Sequence, residues 1–196
     1  PTPFLPDGAI DWASLDRLME HYRKIGCDGV TVLGMMGEAP KLEPEESLEI
    51  VRRTTRVMAG LPVVVGVSAP GLAAMRRLAR DAMEAGAAGV MIAPPSNLRT
   101  DDQIVGYYAQ AIEAIGRDVP FVIQDYPLLI TVVMTASVIR RIVMDNPSCV
   151  MLKAEDWPGL EKISALRAMQ KDGSLRELSI MVANGGLFLD FEMSRG

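Results

Sequence analysis

The sequence predicts an α/β protein built on a parallel sheet, because short apolar runs alternate with helical patterns along its 196 residues. The runs recur about every thirty residues, which is the length of one strand–helix unit. Each run is almost continuously apolar, as in parallel strands that are covered on both faces. The predicted strands are Val30–Leu33, Val63–Val67, Val90–Ala93, Phe121–Ile123, Val150–Leu152 and Ile180–Val182.

Helices are predicted between these strands, where apolar residues recur at three- and four-residue steps. The patterns cover residues 12–22, 48–58, 72–82, 104–115, 135–144 and 157–170. Some helix ends are marked as well. Pro44 suits a first helical turn, Thr100 with Gln103 forms a capping-box pattern, and Asn146-Pro147 predicts a helix end.

The sequence favours a TIM (β/α)8 barrel over an open doubly wound sheet. Open sheets that bind dinucleotides usually carry a G-x-G-x-x-G turn, and none follows a predicted strand here. A complete barrel takes roughly 250 residues. We therefore expect an incomplete barrel, in which Pro1–Phe4 is the tail of a clipped first strand and the eighth unit is absent. Residues 1–196 are predicted to be a single barrel domain and a fragment of a longer chain.

Composition and charge favour a cytoplasmic enzyme or binding domain. The 20 basic and 25 acidic residues give a net charge of −5, and the basic residues are scattered. Neither nucleic acid nor a membrane is therefore an expected partner, and the apolar runs are too short to cross a bilayer. Cys27 and Cys149 lie far apart and the chain has one histidine, so no metal site is expected.

Lys153 is the sharpest candidate for chemistry, since barrel active sites lie at the carboxyl ends of the strands. It directly follows Val150–Leu152, and strand parity places its side chain on the same face as Met151. On an interior face the amine is partly desolvated, which favours its neutral, nucleophilic form. Such an amine can attack a ketone and form an iminium. The alternative is a lysine that extends into solvent at a strand end.

A glycine-bounded turn, Gly34-x-x-Gly37, follows the strand Val30–Leu33. Two glycines in a tight turn allow backbone N–H groups to converge on an anion such as a carboxylate. A plain turn is the alternative interpretation.

Residues beside these strand ends have structural interpretations. Glu155 and Asp156 are expected to cap the following helix, which Trp157 would begin. Asp125 is expected to bond into the surrounding loops, since its parity is opposite to that of Gln124. Both cysteines are expected to be small buried hydrophobic residues.

Taken together, Thr2-Pro3-Phe4, Gly34-x-x-Gly37-Glu38, a turn that ends in Pro127, and Lys153 resemble the dihydrodipicolinate synthase/N-acetylneuraminate lyase family in order and spacing. The resemblance implies a (β/α)8 barrel that assembles as a homotetramer, a dimer of dimers. It implies that pyruvate, or another small-molecule 2-oxo acid, is bound as a Schiff base on Lys153. No metal or organic cofactor is implied. The resemblance also implies a substrate-binding set: Gly34, Met35, Met36, Gly37 and Glu38, with Gly185 after the last predicted strand.

The sequence departs from the family at several positions. Met35 and Met36 stand where threonines are typical, and Gln124 stands where the family has its proton-transferring tyrosine. The pair of tyrosines that the family has after the fourth strand is replaced by Pro95 and Ser96. The arginine with which the family's synthases bind a substrate carboxylate would fall near Leu128–Ile130, where this chain is apolar. Condensation of pyruvate with aspartate semialdehyde is therefore disfavoured, and a smaller or less polar acceptor is favoured.

Tyr126 offers a replacement for the missing tyrosine, since it shares strand parity with Gln124. We hypothesise that Tyr126 transfers protons while Gln124 orients a substrate oxygen or a water; the alternative is that Tyr126 only packs. The sequence thus predicts a Schiff-base lyase for aldol-type cleavage, condensation or dehydration. A catalytically impaired protein that binds a 2-oxo acid is the alternative, and a metal-dependent aldolase is disfavoured.

Overall fold

The computed structural model describes residues 1–195, which alternate between strands and helices as predicted. The strands are β1 (Val30–Val32), β2 (Val63–Gly66), β3 (Gly89–Ile92), β4 (Phe121–Asp125), β5 (Cys149–Ala154) and β6 (Ser179–Val182). The longer helices are α1 (Trp12–Lys24), α2 (Pro44–Val57), α3 (Leu72–Glu84), α4 (Asp101–Ile115), α6 (Ala136–Asp145) and α7 (Leu160–Lys171). Two short helices are α5 (Pro127–Ile130) and α8 (Leu189–Met193), and 3-10 turns occur at Met35–Gly37, Ala39–Lys41 and Asn184–Gly186.

The chain divides into two compact units. The first unit contains Pro1–Val67 and Ala74–Met91, and the second contains Ser68–Ala73 and the residues from Ile92 onward. The predicted single domain and its closure into a (β/α)8 barrel stay predictions. Among residues 1–195, no helix combines the length and the apolar character that a membrane crossing requires.

In the first unit, β2 pairs in parallel with both β1 and β3. Val63 and Val65 of β2 are buried. The helices add apolar stripes at the predicted spacing, such as Leu15 and Met19 of α1 and Met75 of α3. Pro44 begins α2, as predicted, because its fixed φ and missing N–H suit a first helical turn.

In the second unit, β5 pairs in parallel with both β4 and β6. Every residue of β4 is buried, which confirms for this strand the prediction of two covered faces. The capping box of Thr100 and Gln103 is present at the start of α4. Asn146 caps the end of α6, where the following proline cannot continue the helix.

The assignment of Pro1–Phe4 to the tail of a clipped first strand stays a prediction; in the described chain Phe4 forms an isolated antiparallel bridge with Ile10. Two predicted boundaries near Lys153 were wrong. The strand around Lys153 is longer than Val150–Leu152 and runs from Cys149 to Ala154. Helix α7 begins at Leu160 rather than at Trp157, because Pro158 disfavours a helical conformation in the residue before it and Gly159 is left-handed, with φ 66°.

Candidate active site

The turn after β1 is held by its own backbone and by the amino-terminal segment. The N–H groups of Gly37 and Glu38 donate hydrogen bonds to the carbonyls of Gly34 and Met35, each at 3.0 Å. The Thr2 hydroxyl donates to the Gly37 carbonyl at 2.7 Å. These contacts fix the turn in one conformation.

The turn offers an anion fewer backbone N–H groups than its sequence predicted. Since Gly37 and Glu38 use their N–H groups inside the turn, the N–H groups of Gly34, Met35 and Met36 are left without an acceptor within residues 1–195. Met36 is 76% exposed. The Glu38 carboxylate forms an ion pair with Lys41. Any carboxylate bound at this turn would therefore be held by backbone groups of Gly34 and the two methionines.

A close backbone approach positions the start of the turn. Leu33 has a positive φ of 55°, and its carbonyl oxygen lies against Gly66 at the end of β2. A Cβ atom added at Gly66 would lie 2.1 Å from that oxygen. Only glycine fits this position without moving the backbone that leads into Gly34.

Lys153 lies within β5, in the second unit, and its side chain is 17% exposed. From Met151 to Ala154 the burial alternates as parity requires: Met151 and Lys153 are half-buried, whereas Leu152 and Ala154 are buried on the opposite face. Val150 departs from this alternation and is exposed, since it falls where the register of β4 and β5 is irregular. The ammonium Nζ lies 3.1 Å from Oε1 of Glu155, whose side chain is 10% exposed. The lysine is therefore largely withdrawn from water and is paired with a carboxylate.

Gln124 completes what we call the Lys153 cluster, which consists of Gln124, Lys153 and Glu155. Gln124 pairs with Lys153 in the register of β4 and β5 and is 1% exposed. Its Nε2 donates a hydrogen bond to Oε2 of Glu155 at 2.8 Å. One carboxylate thus bridges the two residues that the sequence had selected. The expectation that Glu155 caps a helix was wrong, because α7 begins five residues later with Gly159 at its N-cap.

A second group of buried charges centres on Lys162 of α7. Its Nζ lies 2.6 Å from Oδ2 of Asp125 and 2.7 Å from Oδ2 of Asp156. Asp125 is fully buried at the end of β4, and its Oδ1 has no partner among the described residues. Asp125 was therefore wrongly assigned to loop contacts, and Asp156 does not cap α7. Lys162 carries no signal in the sequence, because nothing in a helical lysine indicates a contact 37 residues away.

The two carboxyl groups on Lys162 differ in their pKa. Burial raises the pKa of Asp125 to about 6, although Lys162 acts in the opposite direction. Burial also acts to raise the pKa of Asp156, but the hydrogen bond and the charge of Lys162 outweigh it, so that this pKa is lowered.

The remaining candidates lie outside these clusters. Tyr126 follows the last residue of β4 and serves as the N-cap of α5, so the parity of the strand no longer determines its direction. Gly185 is exposed within the 3-10 turn after β6, with φ 65°. Trp157 is 50% exposed and packs edge-on against Phe188, with ring centroids 4.7 Å apart. The roles of Tyr126 and Gly185 stay predictions.

Comparison with known proteins identifies the family. The model of the dihydrodipicolinate synthetase family matches residues 1–170. The chain belongs to this family. Two curated 4-hydroxy-tetrahydrodipicolinate synthases are each 30% identical to it. The synthase from Chlorobaculum parvum matches over 97% of this chain and 62% of its own length. The synthase from Methylococcus capsulatus matches over 88% of this chain and 58% of its own length.

A solved structure supports the same assignment. The dihydrodipicolinate synthase from Rhodopseudomonas palustris is 66% identical, with a TM-score of 0.97 over the whole chain and 65% of the solved protein. The chain thus spans about 58–65% of the length of these relatives. Within residues 1–195 no group of three or more histidine, cysteine, aspartate or glutamate side chains could hold a metal ion. The expectation of a cofactor-free site stays a prediction.

Proposed function

We propose that this protein is a Schiff-base-forming lyase, in which Lys153 attacks the keto group of pyruvate or another 2-oxo acid. The iminium serves as the electron sink for aldol-type cleavage, condensation or dehydration. The observation that carries the proposal is the setting of the amine. Lys153 is 17% exposed and lies 3.1 Å from a carboxylate, in a member of the dihydrodipicolinate synthetase family.

The substrate carboxylate is assigned to the Gly34–Glu38 turn. The N–H groups of Gly34, Met35 and Met36 supply the hydrogen-bond donors, as inferred from the turn by itself. Methionine offers no hydroxyl, so side chains of this turn take no part in proton transfer. The homotetramer that the family resemblance implies and the cytoplasmic location that the composition favours form part of the proposal.

Borohydride trapping tests the Schiff base directly. The protein is incubated with pyruvate, reduced with borohydride, and digested with trypsin. A reduced adduct on Lys153 blocks cleavage there, so the peptide Ile142–Lys162 should be recovered with the added mass of a carboxyethyl group. Lys162 is the internal comparison, because it is a buried lysine held by two carboxylates and should remain unmodified.

The Lys153→Arg variant is the matched control, since arginine retains the charge but forms no Schiff base. It should yield no adduct at any pyruvate concentration. If the unaltered protein also yields none, or if the adduct forms equally on Lys162, the proposal is wrong.

A catalytically impaired protein that binds a 2-oxo acid is the second candidate. It is favoured by Met35 and Met36, because the turn that would hold the carboxylate lacks side-chain hydroxyls. Both candidates trap pyruvate on Lys153, and only the lyase turns over. Release of pyruvate from a panel of 4-hydroxy-2-oxo acids, followed by a coupled lactate dehydrogenase assay, separates them.

A further inference from the structure

A buried carboxylate contacts both the reacting amine and a buried amide. Glu155 places Oε1 3.1 Å from Nζ of Lys153 and accepts a hydrogen bond from Gln124 on Oε2 at 2.8 Å. The second bond fixes the direction of the carboxylate, because Gln124 is 1% exposed and has little freedom to move. The carboxylate oxygen that faces Lys153 is therefore held in place by Gln124.

Schiff-base formation needs a proton acceptor and then a proton donor at this location. The lysine must lose a proton before Nζ can attack the keto carbon, and the hydroxyl of the resulting carbinolamine must gain one before it leaves as water. A carboxylate within hydrogen-bond distance of Nζ can do both in turn. Two further carboxylates near these strand ends, Asp125 and Asp156, are engaged with Lys162.

We propose that Glu155 is the acid–base residue for Lys153 and that Gln124 is its positioning residue, an inference that rests on the proposed function. Glu155 takes a proton from the ammonium, and the neutral amine adds to the keto carbon. A second proton moves from nitrogen to oxygen within the adduct to give the carbinolamine. The Glu155 carboxylic acid then protonates the hydroxyl, the C–O bond breaks, and water departs. Of the three ammonium protons, one stays on the iminium nitrogen and two leave in water, and Glu155 is again a carboxylate.

The contact geometry favours this role over a purely structural ion pair. A buried lysine–glutamate pair contributes little net stability, because desolvation of both charges offsets their attraction. The second contact of Glu155 is with the neutral amide of Gln124 and not with another cation. Lys153 is therefore its one ion-pair partner among the described residues. Proton exchange between the two is therefore not opposed by another fixed positive charge on the carboxylate.

The test measures how fast pyruvate is trapped, with rapid mixing followed by borohydride quench. Glu155→Gln keeps the size of the side chain but cannot accept the proton. Trapping on the peptide Ile142–Lys162 should slow on the order of 100-fold or more, while the pyruvate concentration for half-maximal rate stays close to that of the unaltered protein. Glu161→Gln is the matched control, since Glu161 is exposed on the first turn of α7, and its trapping rate should not change.

Chemical rescue separates proton transfer from a structural role. In Glu155→Ala, added formate should restore trapping in proportion to its concentration, and a series of carboxylic acids should rescue with rates that depend on their acidity. Gln124→Ala retains the Glu155 carboxylate, so it should trap more slowly than the unaltered protein without any response to formate. Far-UV circular dichroism shows which of the two Glu155 variants is folded, and either one suffices for the test.

Each outcome is decisive. Absence of any adduct in the unaltered protein contradicts the proposed Schiff base itself. An adduct in the unaltered protein with an equally fast rate in Glu155→Gln contradicts only the role of Glu155. A slow rate in Glu155→Ala that no carboxylic acid restores overturns it too, since it shows a structural contribution. Slow trapping with formate rescue supports it.

Discussion

The buried Asp125 makes the stability of the protein depend on pH in an unusual direction. Its carboxyl group is fully buried, Oδ1 has no partner among the described residues, and the pKa is raised from 3.8 to about 6. The folded state therefore binds this proton more tightly than the unfolded state does. Between these two pKa values the folded state holds more protons, so the contribution of Asp125 to stability falls as pH rises.

The magnitude follows from the pKa difference. A rise of about two pKa units corresponds to about 3 kcal/mol, which is present below the unfolded pKa and lost as pH rises through about 6. Asp125→Asn removes the titration and keeps the size of the side chain. Relative to the unaltered protein, the variant should gain about 2.4 kcal/mol in free energy of unfolding between pH 4 and pH 7, because at pH 4 the unfolded carboxyl group is already partly ionised.

Urea unfolding at a series of pH values measures this difference. Asp156→Asn is the informative comparison, because Asp156 lies on the same lysine but its pKa is lowered. Its linkage has the opposite sign: the contribution of Asp156 is present above the unfolded pKa of 3.8 and is lost as pH falls below it. The difference between Asp156→Asn and the unaltered protein should therefore change little from about pH 5 to pH 7, and the variant should gain relative stability as pH falls below about 4. A pH-independent difference for Asp125→Asn, or one that changes in the same direction as for Asp156→Asn, refutes the reasoning.

Three further predictions concern packing and reactivity. Gly66→Ala should destabilise the protein by about 2 kcal/mol, because the added Cβ would lie 2.1 Å from the Leu33 carbonyl oxygen. Gly71→Ala is the control, since its Cβ would meet nothing within 4 Å. In urea unfolding the midpoint of Gly66→Ala should fall with an unchanged slope, and equal midpoints for the two variants would contradict the prediction. Burial raises the pKa of Cys149 to about 12, so a thiol reagent should label Cys27 in the native protein and Cys149 only after unfolding. Gly106→Ala, inside α4 and free of clashes, should stabilise by about 0.5–1 kcal/mol, and a lower melting temperature would count against it.

Local signals in the sequence predicted most of the elements. Proline at the start of α2 and the capping box of α4 act within a few residues of their own backbone, so they need no tertiary context. Where two local rules competed, the prediction failed. Trp157 fits the apolar pattern of a helix, but Pro158 and Gly159 restrict the backbone beside it, and α7 begins at Leu160.

Strand parity explains why the sequence predicted the face on which Lys153 lies but not its contact with Glu155. Parity placed Lys153 on the face of Met151, and β5 confirms it. Glu155 lies two residues beyond Lys153, so the same parity places both side chains on one face. The sequence did not predict their contact because the predicted strand ended at Leu152. Parity within one strand could not predict that Gln124 lies beside Lys153, because that placement depends on the register between β4 and β5.

The sequence by itself determined the alternation of strands and helices and the family, and it selected Lys153 as the candidate for the chemistry. These rest on periodicity and motif spacing, which are properties of short stretches of chain. The tertiary structure alone decided which residue holds the Glu155 carboxylate and which two carboxylates hold Lys162. Such groups pair according to distance in space and exclusion of water, and contacts across 31 and 37 residues leave no mark on either segment.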